Sequence, residues 1–145
     1  MEKYVHYGHK TFDKRLFANI SNCLLGVKPE GGFWASNVNA KFDWEDWLKL
    51  NEHQEIVDGD KFIFTLSEEA KILRINSIED LEELPQIKYK FIPSWTMLDF
   101  EKLATMYDAI EINISNDPKL YFTLYTWDCD SILIMNPDII QQVNL

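Results

Sequence analysis

The chain has 145 residues, 46% of them hydrophobic and 14% aromatic, and carries a formal net charge of −10. A chain of this length can bury its own core, so we expect one domain over residues 1–145. The negative charge disfavours direct binding to a nucleic-acid backbone, because the protein repels phosphates at long range. Mimicry of DNA, docking on a basic partner and simple solubility all remain compatible with it.

Cys23 and Cys129 are the two cysteines, too few for a disulfide framework, which favours a reducing compartment. The first residues do not form an apolar signal region, and no apolar stretch has the length of a membrane span. These features predict a cytoplasmic protein without a membrane partner.

Residue patterns predict an interleaved series of short strands and helices. In chain order, the elements are a strand over 3–8, one or two helical turns over 10–17, a turn-rich connection over 22–32, a strand over 32–36, a helix over 42–50, a turn over 58–60, strands over 61–66 and 70–75, helices over 76–85 and 96–108, a strand over 109–115, a turn over 116–118, and final strands over 120–125 and 130–136. The short linker over 67–70 allows a hairpin or a tight bend. This order favours an α+β fold over a doubly wound parallel sheet.

The helix over 42–50 has the clearest local signals. Asp43 can cap its first turn and Asp46 follows three residues later. Trp44, Trp47 and Leu48 stand at i, i+3 and i+4, so they share one face. The sequence therefore predicts a short amphipathic helix with an indole-rich face.

Two short stretches combine glycine with aromatic residues. In a strand over 3–8, His6 and Gly8 share a face, so a flat ligand can fill the gap beside the imidazole. The alternative is a core histidine with satisfied hydrogen bonds and a glycine that ends the strand. In the second stretch, Gly31 and Gly32 lead into Phe33 and Trp34, a pattern that suits ring stacking on a planar cation or a buried aromatic strand.

Two carboxylates precede the last apolar strand. Asp128 and Asp130 are two residues apart and share a face if the strand is regular. They can orient a substrate hydroxyl, bind a metal or lie in a solvated loop. The three histidines lack metal-ligand spacing, so no metal site is predicted.

These segments resemble a known family when they are taken together. An H-x-G strand, a glycine-led aromatic strand, a helix with an aromatic residue and a late acid on a strand occur in this order, which is similar to ADP-ribosyltransferases of the diphtheria-toxin and poly(ADP-ribose) polymerase type. The chain also looks like a group of small uncharacterised bacterial and phage proteins with HYG, KPxGGxWxS and WDCxS segments. The first resemblance implies split antiparallel β-sheets, flanked by short helices, around a cleft that binds NAD.

The resemblance also implies roles for individual residues. His6 with Gly8 would hold the adenosine ribose or the nicotinamide edge, the motif over 32–36 would bring Trp34 to the nicotinamide ring, and Trp44 or Trp47 would be a second stacking ring. Asp130, or alternatively Asp128, would orient the nicotinamide ribose. The implied cofactor-binding residues are His6, Tyr7, Gly8, Gly32, Trp34, Ser36, Trp44 and Trp47, and the implied catalytic residues are Asp130 and His6.

We therefore expect a NAD-binding protein that transfers ADP-ribose to a macromolecular target, with NAD or a related nucleotide and a target protein as its partners. The alternative is a non-catalytic acidic binding or inhibitor protein, such as a phage or mobile-element antagonist, that sequesters a nucleotide or docks on a basic host protein. The clustered glycines and the resemblance predict that the strands over 3–8 and 32–36 line one cleft, with His6 and Trp34 within reach of one small ligand.

Overall fold

The computed structural model describes residues 1–23, 28–88, 97–124 and 126–144. Residues 24–27 of the predicted turn-rich connection lie outside these ranges, as do Thr96, the first residue of the helix predicted over 96–108, and Tyr125, the last residue of the strand predicted over 120–125. Within the described residues the fold is mixed α+β, with a curled sheet of seven strands and several short helices.

The elements have the following bounds. The strands are β1 (Tyr4–Tyr7), β2 (Phe33–Asn37), β3 (Lys61–Leu66), β4 (Ile72–Ile75), β5 (Gln86–Ile87), β6 (Met97–Leu98), β7 (Ala109–Ile112), β8 (Ser131–Ile134) and β9 (Ile140–Val143). The α-helices are α1 (Trp44–Leu50), α2 (Gln54–Val57), α3 (Phe100–Leu103) and α4 (Pro118–Thr123). Single 3-10 turns lie at Lys14–Leu16, Ile78–Leu81, Ile114–Asn116 and Pro137–Ile139.

The large sheet has the strand order β4-β7-β8-β2-β1-β3-β9, and β5 and β6 form a separate antiparallel pair. Its pairs are antiparallel apart from β4 with β7, which is parallel, so β4 departs from the predicted antiparallel arrangement. The linker after β3 is a bend rather than a hairpin, because β3 pairs with β1 and β9 while β4 lies at the opposite edge of the sheet.

Both faces of the sheet are covered by apolar side chains. One face carries the cluster that we name the Trp127 core, with Phe100 of α3 and Leu133 of β8. The other carries the Phe64 core, with Ile132 of β8. Consecutive residues of a strand point to opposite faces, so β8 contributes to both cores in turn.

Local signals succeeded where they were strong. The strands over 3–8, 32–36, 61–66 and 130–136 are confirmed as β1, β2, β3 and β8. The capped helix over 42–50 is confirmed as α1. The helix predicted over 76–85 is reduced to a 3-10 turn that keeps its capping box, and the one predicted over 96–108 is reduced to α3 with β6 before it.

The strand predicted over 120–125 is wrong for its described residues, because residues 120–123 belong to the helix α4 and Leu124 ends it. Asp117 caps the helix by accepting a hydrogen bond from the Lys119 amide, and Pro118 occupies the first turn. Leu120 and Leu124, one helical turn apart, are buried, whereas Phe122 is exposed. Burial at i and i+4 therefore prevails over the β propensity of the aromatic residues.

Candidate functional site: a cleft where two strands separate

A cleft opens where β1 and β2 stop pairing. Tyr4 pairs with Asn37 and Val5 with Ser36, and the ladder ends there. Beyond this point β2 pairs with β8 on its other side. The resulting cavity of about 350 Å³ is lined by His6, Tyr7, Lys28, Pro29, Trp34, Trp44, Leu48 and Ile56. This volume lies at the lower end of the range for small-molecule pockets.

His6 lies at the fork between the two strands. Its Nδ1 is 2.7 Å from the carbonyl oxygen of Trp34, and its Nε2 is 2.9 Å from Nδ1 of His9. A carbonyl only accepts, so Nδ1–H donates to it, and in the neutral ring Nε2 accepts from His9. The ring stacks on Phe33 with 4.2 Å between centroids. Burial lowers the pKa of His6, so the neutral ring is favoured at pH 7.

Both ring nitrogens of His6 therefore have hydrogen-bond partners, as in the alternative of a histidine with satisfied hydrogen bonds. The His6 side chain lies on the face of the sheet that carries the Phe64 core, whereas Trp34 packs against the Trp127 core on the other face. Both side chains nevertheless line the same cavity, because the strands separate between them. His6 Nε2 faces His9, whose side chain is exposed and is not among the residues that line this cavity.

Helix α1 forms one wall of the cleft. Asp43 accepts a hydrogen bond from the Asp46 amide, and the Asp46 carboxyl accepts one from the Asp43 amide, which completes a capping box. The helix directs Trp44 and Leu48 into the cavity. Trp47 does not line the cavity and instead stacks on His53.

Tyr7 ties the end of β1 to this helix. Its hydroxyl donates to Glu45 Oε2 over 3.1 Å, and Glu45 Oε1 also pairs with Lys49 over 2.7 Å. Burial raises the pKa of Tyr7, so its hydroxyl keeps the proton that it donates. Tyr7 thus positions the wall of the cleft as well as lining it.

Two indoles and a lysine lie together in the lining of the cleft. Trp34 and Trp44 meet edge to face, with 6.4 Å between their centroids and 83° between their planes. The Lys28 ammonium lies 5.7 Å from the centroid of Trp34 and 5.8 Å from that of Trp44. It also contacts Asp128 Oδ2 at 2.8 Å. Sequence reasoning missed Lys28, although the KPxGGxWxS segment contains it.

Asp130 lies outside this cleft. It is 2% exposed, and its carboxyl group accepts hydrogen bonds from Ser115 N at 2.9 Å, Ser115 Oγ at 2.5 Å and Phe42 N at 3.2 Å. It lines a different, polar cavity of about 230 Å³ together with Glu111, whose pKa is raised by burial. Ser36 Oγ donates to the Asp130 carbonyl. These contacts give Asp130 and Ser36 structural positions.

The two acids that share a face in a regular strand have different partners in the structure. Asp128 and Asp130 both precede β8, and Asp128 pairs with Lys28 of the cleft.

Of the predicted cofactor-binding residues, the cavity brings together His6, Tyr7, Trp34 and Trp44. Its lining does not include Gly8, Gly32, Ser36 or Trp47. Within the described ranges, no three His, Cys, Asp or Glu side chains converge as metal ligands.

Glycines shape the approach to the cleft rather than its lining. Gly31 has φ +80°, and a Cβ there would lie 2.2 Å from the backbone oxygen of Asn19. Gly32 has φ +73°, and its Cβ would lie 2.5 Å from Leu133 Cδ1. Both positions therefore need glycine for conformation and for close packing.

Comparison with known proteins identifies one curated relative. The chain is 29% identical over 123 residues to an "Uncharacterized membrane protein" of Buchnera aphidicola subsp. Schizaphis graminum (strain Sg). The match covers 83% of this chain but 29% of the relative, so the chain spans less than a third of that protein. No known protein-family profile matches the chain. No solved structure matches it.

This relative bears on the predicted location. The prediction of a cytoplasmic protein is contradicted, because the similar protein is named as a membrane protein. In the described part of the chain, no helix has the length and apolar character needed to cross a bilayer.

Proposed function

We propose that this chain is an ADP-ribosyltransferase-like protein that binds NAD, with the nicotinamide ring in the cleft between β1 and β2. The observation that carries this proposal is the convergence of Trp34, Trp44 and His6 on one cavity of about 350 Å³. The forked sheet, whose two halves share β2, supports the split-sheet architecture that the resemblance implies.

The residues of the cleft suit a flat, ring-bearing ligand. Trp34 and Trp44 are half-buried, so each keeps part of a ring face open to the cavity. Stacking of a nucleobase-like ring on an aromatic side chain contributes about 1–3 kcal/mol. His6 Nε2 can accept a hydrogen bond from a ligand amide in place of the one from His9. Trp44, rather than Trp47, is the second stacking ring in this arrangement.

Binding without transfer is the activity that the geometry favours. Transfer of ADP-ribose needs a carboxylate aimed at the charge that develops on the nicotinamide ribose. The described lining of the cavity contains no carboxylate, and the Asp130 carboxyl is committed to Ser115 and Phe42. We therefore place nucleotide sequestration ahead of catalysis, and Asp128 ahead of Asp130 as the acid nearest the ligand, because Asp128 pairs with Lys28 of the cleft.

Calorimetric titration with NAD tests the binding site. Trp34→Ala and Trp44→Ala should each weaken binding by about ten- to a hundredfold, in line with the loss of one stacking ring. Trp47→Ala removes an indole that lies outside the cavity, so it should bind like the wild type if the variant is folded by circular dichroism. Undetectable NAD binding by the wild type, or equal losses in all three variants, would overturn the proposed site.

A second experiment separates sequestration from transfer. The wild type is incubated with NAD labelled in the nicotinamide ring and, separately, in the adenosine, in the presence of a cell lysate. Bound NAD with no released nicotinamide supports sequestration. Release of nicotinamide together with labelling of a macromolecule would show transfer and refute the binding-only reading.

A further inference from the structure

The cleft contains one feature that ring stacking does not explain. Lys28 lies within cation–π range of both Trp34 and Trp44, and its ammonium also pairs with Asp128. The side chains of Lys28 and Asp128 are 30% and 31% exposed, so both reach solvent. A partly exposed ion pair contributes little to folding stability. The contribution of the Lys28–Asp128 pair to stability therefore does not account for the position of Lys28 beside the two indoles.

The charge of the protein makes this ammonium significant for a phosphorylated ligand. The chain carries a net charge of −10, which opposes the approach of any anion. Among the described residues that line the cavity, Lys28 is the one with a permanent positive charge. His6 does not replace it, because burial lowers its pKa and its Nδ1–H is donated to Trp34.

Exchange of one anion for another at Lys28 is physically reasonable. A phosphate that enters the cleft can take the place of the Asp128 carboxylate at the ammonium. Asp128 is then rehydrated with little penalty, because nearly a third of its side chain already faces water. The ammonium is a compact point charge with three donors on a flexible stem, so it can follow the phosphate while the ring occupies the indole faces.

We propose that Lys28 is the phosphate-recognition residue of the cleft, and that it makes the cleft select nucleotides over nucleosides that carry the same ring. This inference rests on the proposed binding of a nicotinamide ring in the cleft. It adds the chemical class of the ligand, a ring-bearing phosphate monoester or diester, and it makes Asp128 the resident anion that the phosphate displaces.

The test compares two ligands that differ in one phosphate, nicotinamide mononucleotide and nicotinamide riboside. Their dissociation constants are measured by calorimetry for the wild type and for Lys28→Met, which keeps an unbranched side chain as far as the ε position and removes the ammonium group. The wild type should prefer the mononucleotide by about tenfold, the size expected for a partly exposed, charge-assisted contact. Lys28→Met should lose this preference while its affinity for the riboside is retained.

Two further variants control for charge and for the resident anion. Lys61→Met makes the same change of net charge at a lysine whose ammonium lies 5.7 Å from the Tyr7 ring, outside the cavity lining, so it should keep the wild-type preference. Asp128→Asn removes the competing carboxylate and should raise the affinity for the mononucleotide several-fold.

The outcomes separate this inference from the proposed function. If the wild type binds NAD but does not distinguish the two smaller ligands, or if Lys28→Met keeps the preference, Lys28 is not the phosphate-recognition residue and the NAD site stands. If the wild type binds none of the three ligands, the proposed function itself fails, and the inference fails with it.

Discussion

Replacing Asp130 with asparagine should lower the free energy of unfolding. The carboxyl group joins three segments that are distant in sequence, because it accepts from Phe42 N before α1 and from Ser115 N and Oγ after β7. Asparagine offers one oxygen and one NH2 group. In either orientation of the amide, one backbone N–H therefore faces another donor instead of an acceptor.

The magnitude follows from these contacts. An unsatisfied buried donor costs about 1–3 kcal/mol, and exchanging a carboxylate acceptor for a neutral one weakens each remaining hydrogen bond by about 1 kcal/mol. Ser115 is exposed, so water can recover part of its loss. We expect Asp130→Asn to lower the free energy of unfolding by about 2–4 kcal/mol.

Urea unfolding at pH 7, followed by tryptophan fluorescence and circular dichroism, measures this change. Asp128→Asn is the matched control, since it removes the same charge two residues away from a partly exposed ion pair, and it should cost no more than about 1 kcal/mol. An Asp130→Asn variant as stable as the control, with an unchanged dependence on urea, would show that the carboxyl group does not hold these segments together.

Three further changes test other parts of the structure. Burial lowers the pKa of His6 below its ordinary 6.5, so the unfolded state binds the proton more readily than the folded state. Urea titrations should therefore show that the stability of the wild type falls from pH 7 to pH 5 and that the fall is smaller in His6→Gln. Equal falls would contradict the burial of His6. Gly31→Ala should lower the free energy of unfolding by more than about 3 kcal/mol, because its Cβ would lie 2.2 Å from a backbone oxygen, whereas Gly8→Ala, with φ +114° and open space around it, should lower it by about 1–2 kcal/mol from backbone strain alone. Thermal melts that give the reverse order would be inconsistent with this packing. Asp43→Ala removes the cap of α1 and should cost about 1 kcal/mol by urea unfolding, and a stability equal to that of the wild type would argue against the capping box.

The candidate site was only partly visible in the sequence. Trp34 and Trp44 could be singled out, because each lies in an element with a strong local signal. Lys28 could not, because a lysine beside a proline has no pattern that tells it apart from a surface lysine. Its role depends on contacts with Trp44 and Asp128, which lie 16 and 100 residues away along the chain.

The positions of Asp128 and Asp130 could not be predicted from their spacing in the sequence. A spacing of two residues predicts that Asp128 and Asp130 share a face, but only within a regular strand. The strand β8 begins at Ser131, so both residues lie in the segment before it. Asp130 then turns to the amides of Ser115 and Phe42, and Asp128 turns to Lys28.

Features that depend on neighbouring residues could be predicted from the sequence. Runs of strand-forming residues indicated β1, β3 and β8, and Asp43 with Asp46 in the first turn indicated where α1 begins, because these signals are complete within a few residues. Long-range packing was needed to show that β4 joins β7 in parallel and that β1 and β2 separate to open the cleft. It also favoured the helix α4, through burial of Leu120 and Leu124, over the strand that the aromatic residues of this segment suggest. The physical reason is that strand pairing and burial depend on residues far apart in the chain, and only their packing decides which of several locally acceptable conformations is lowest in free energy.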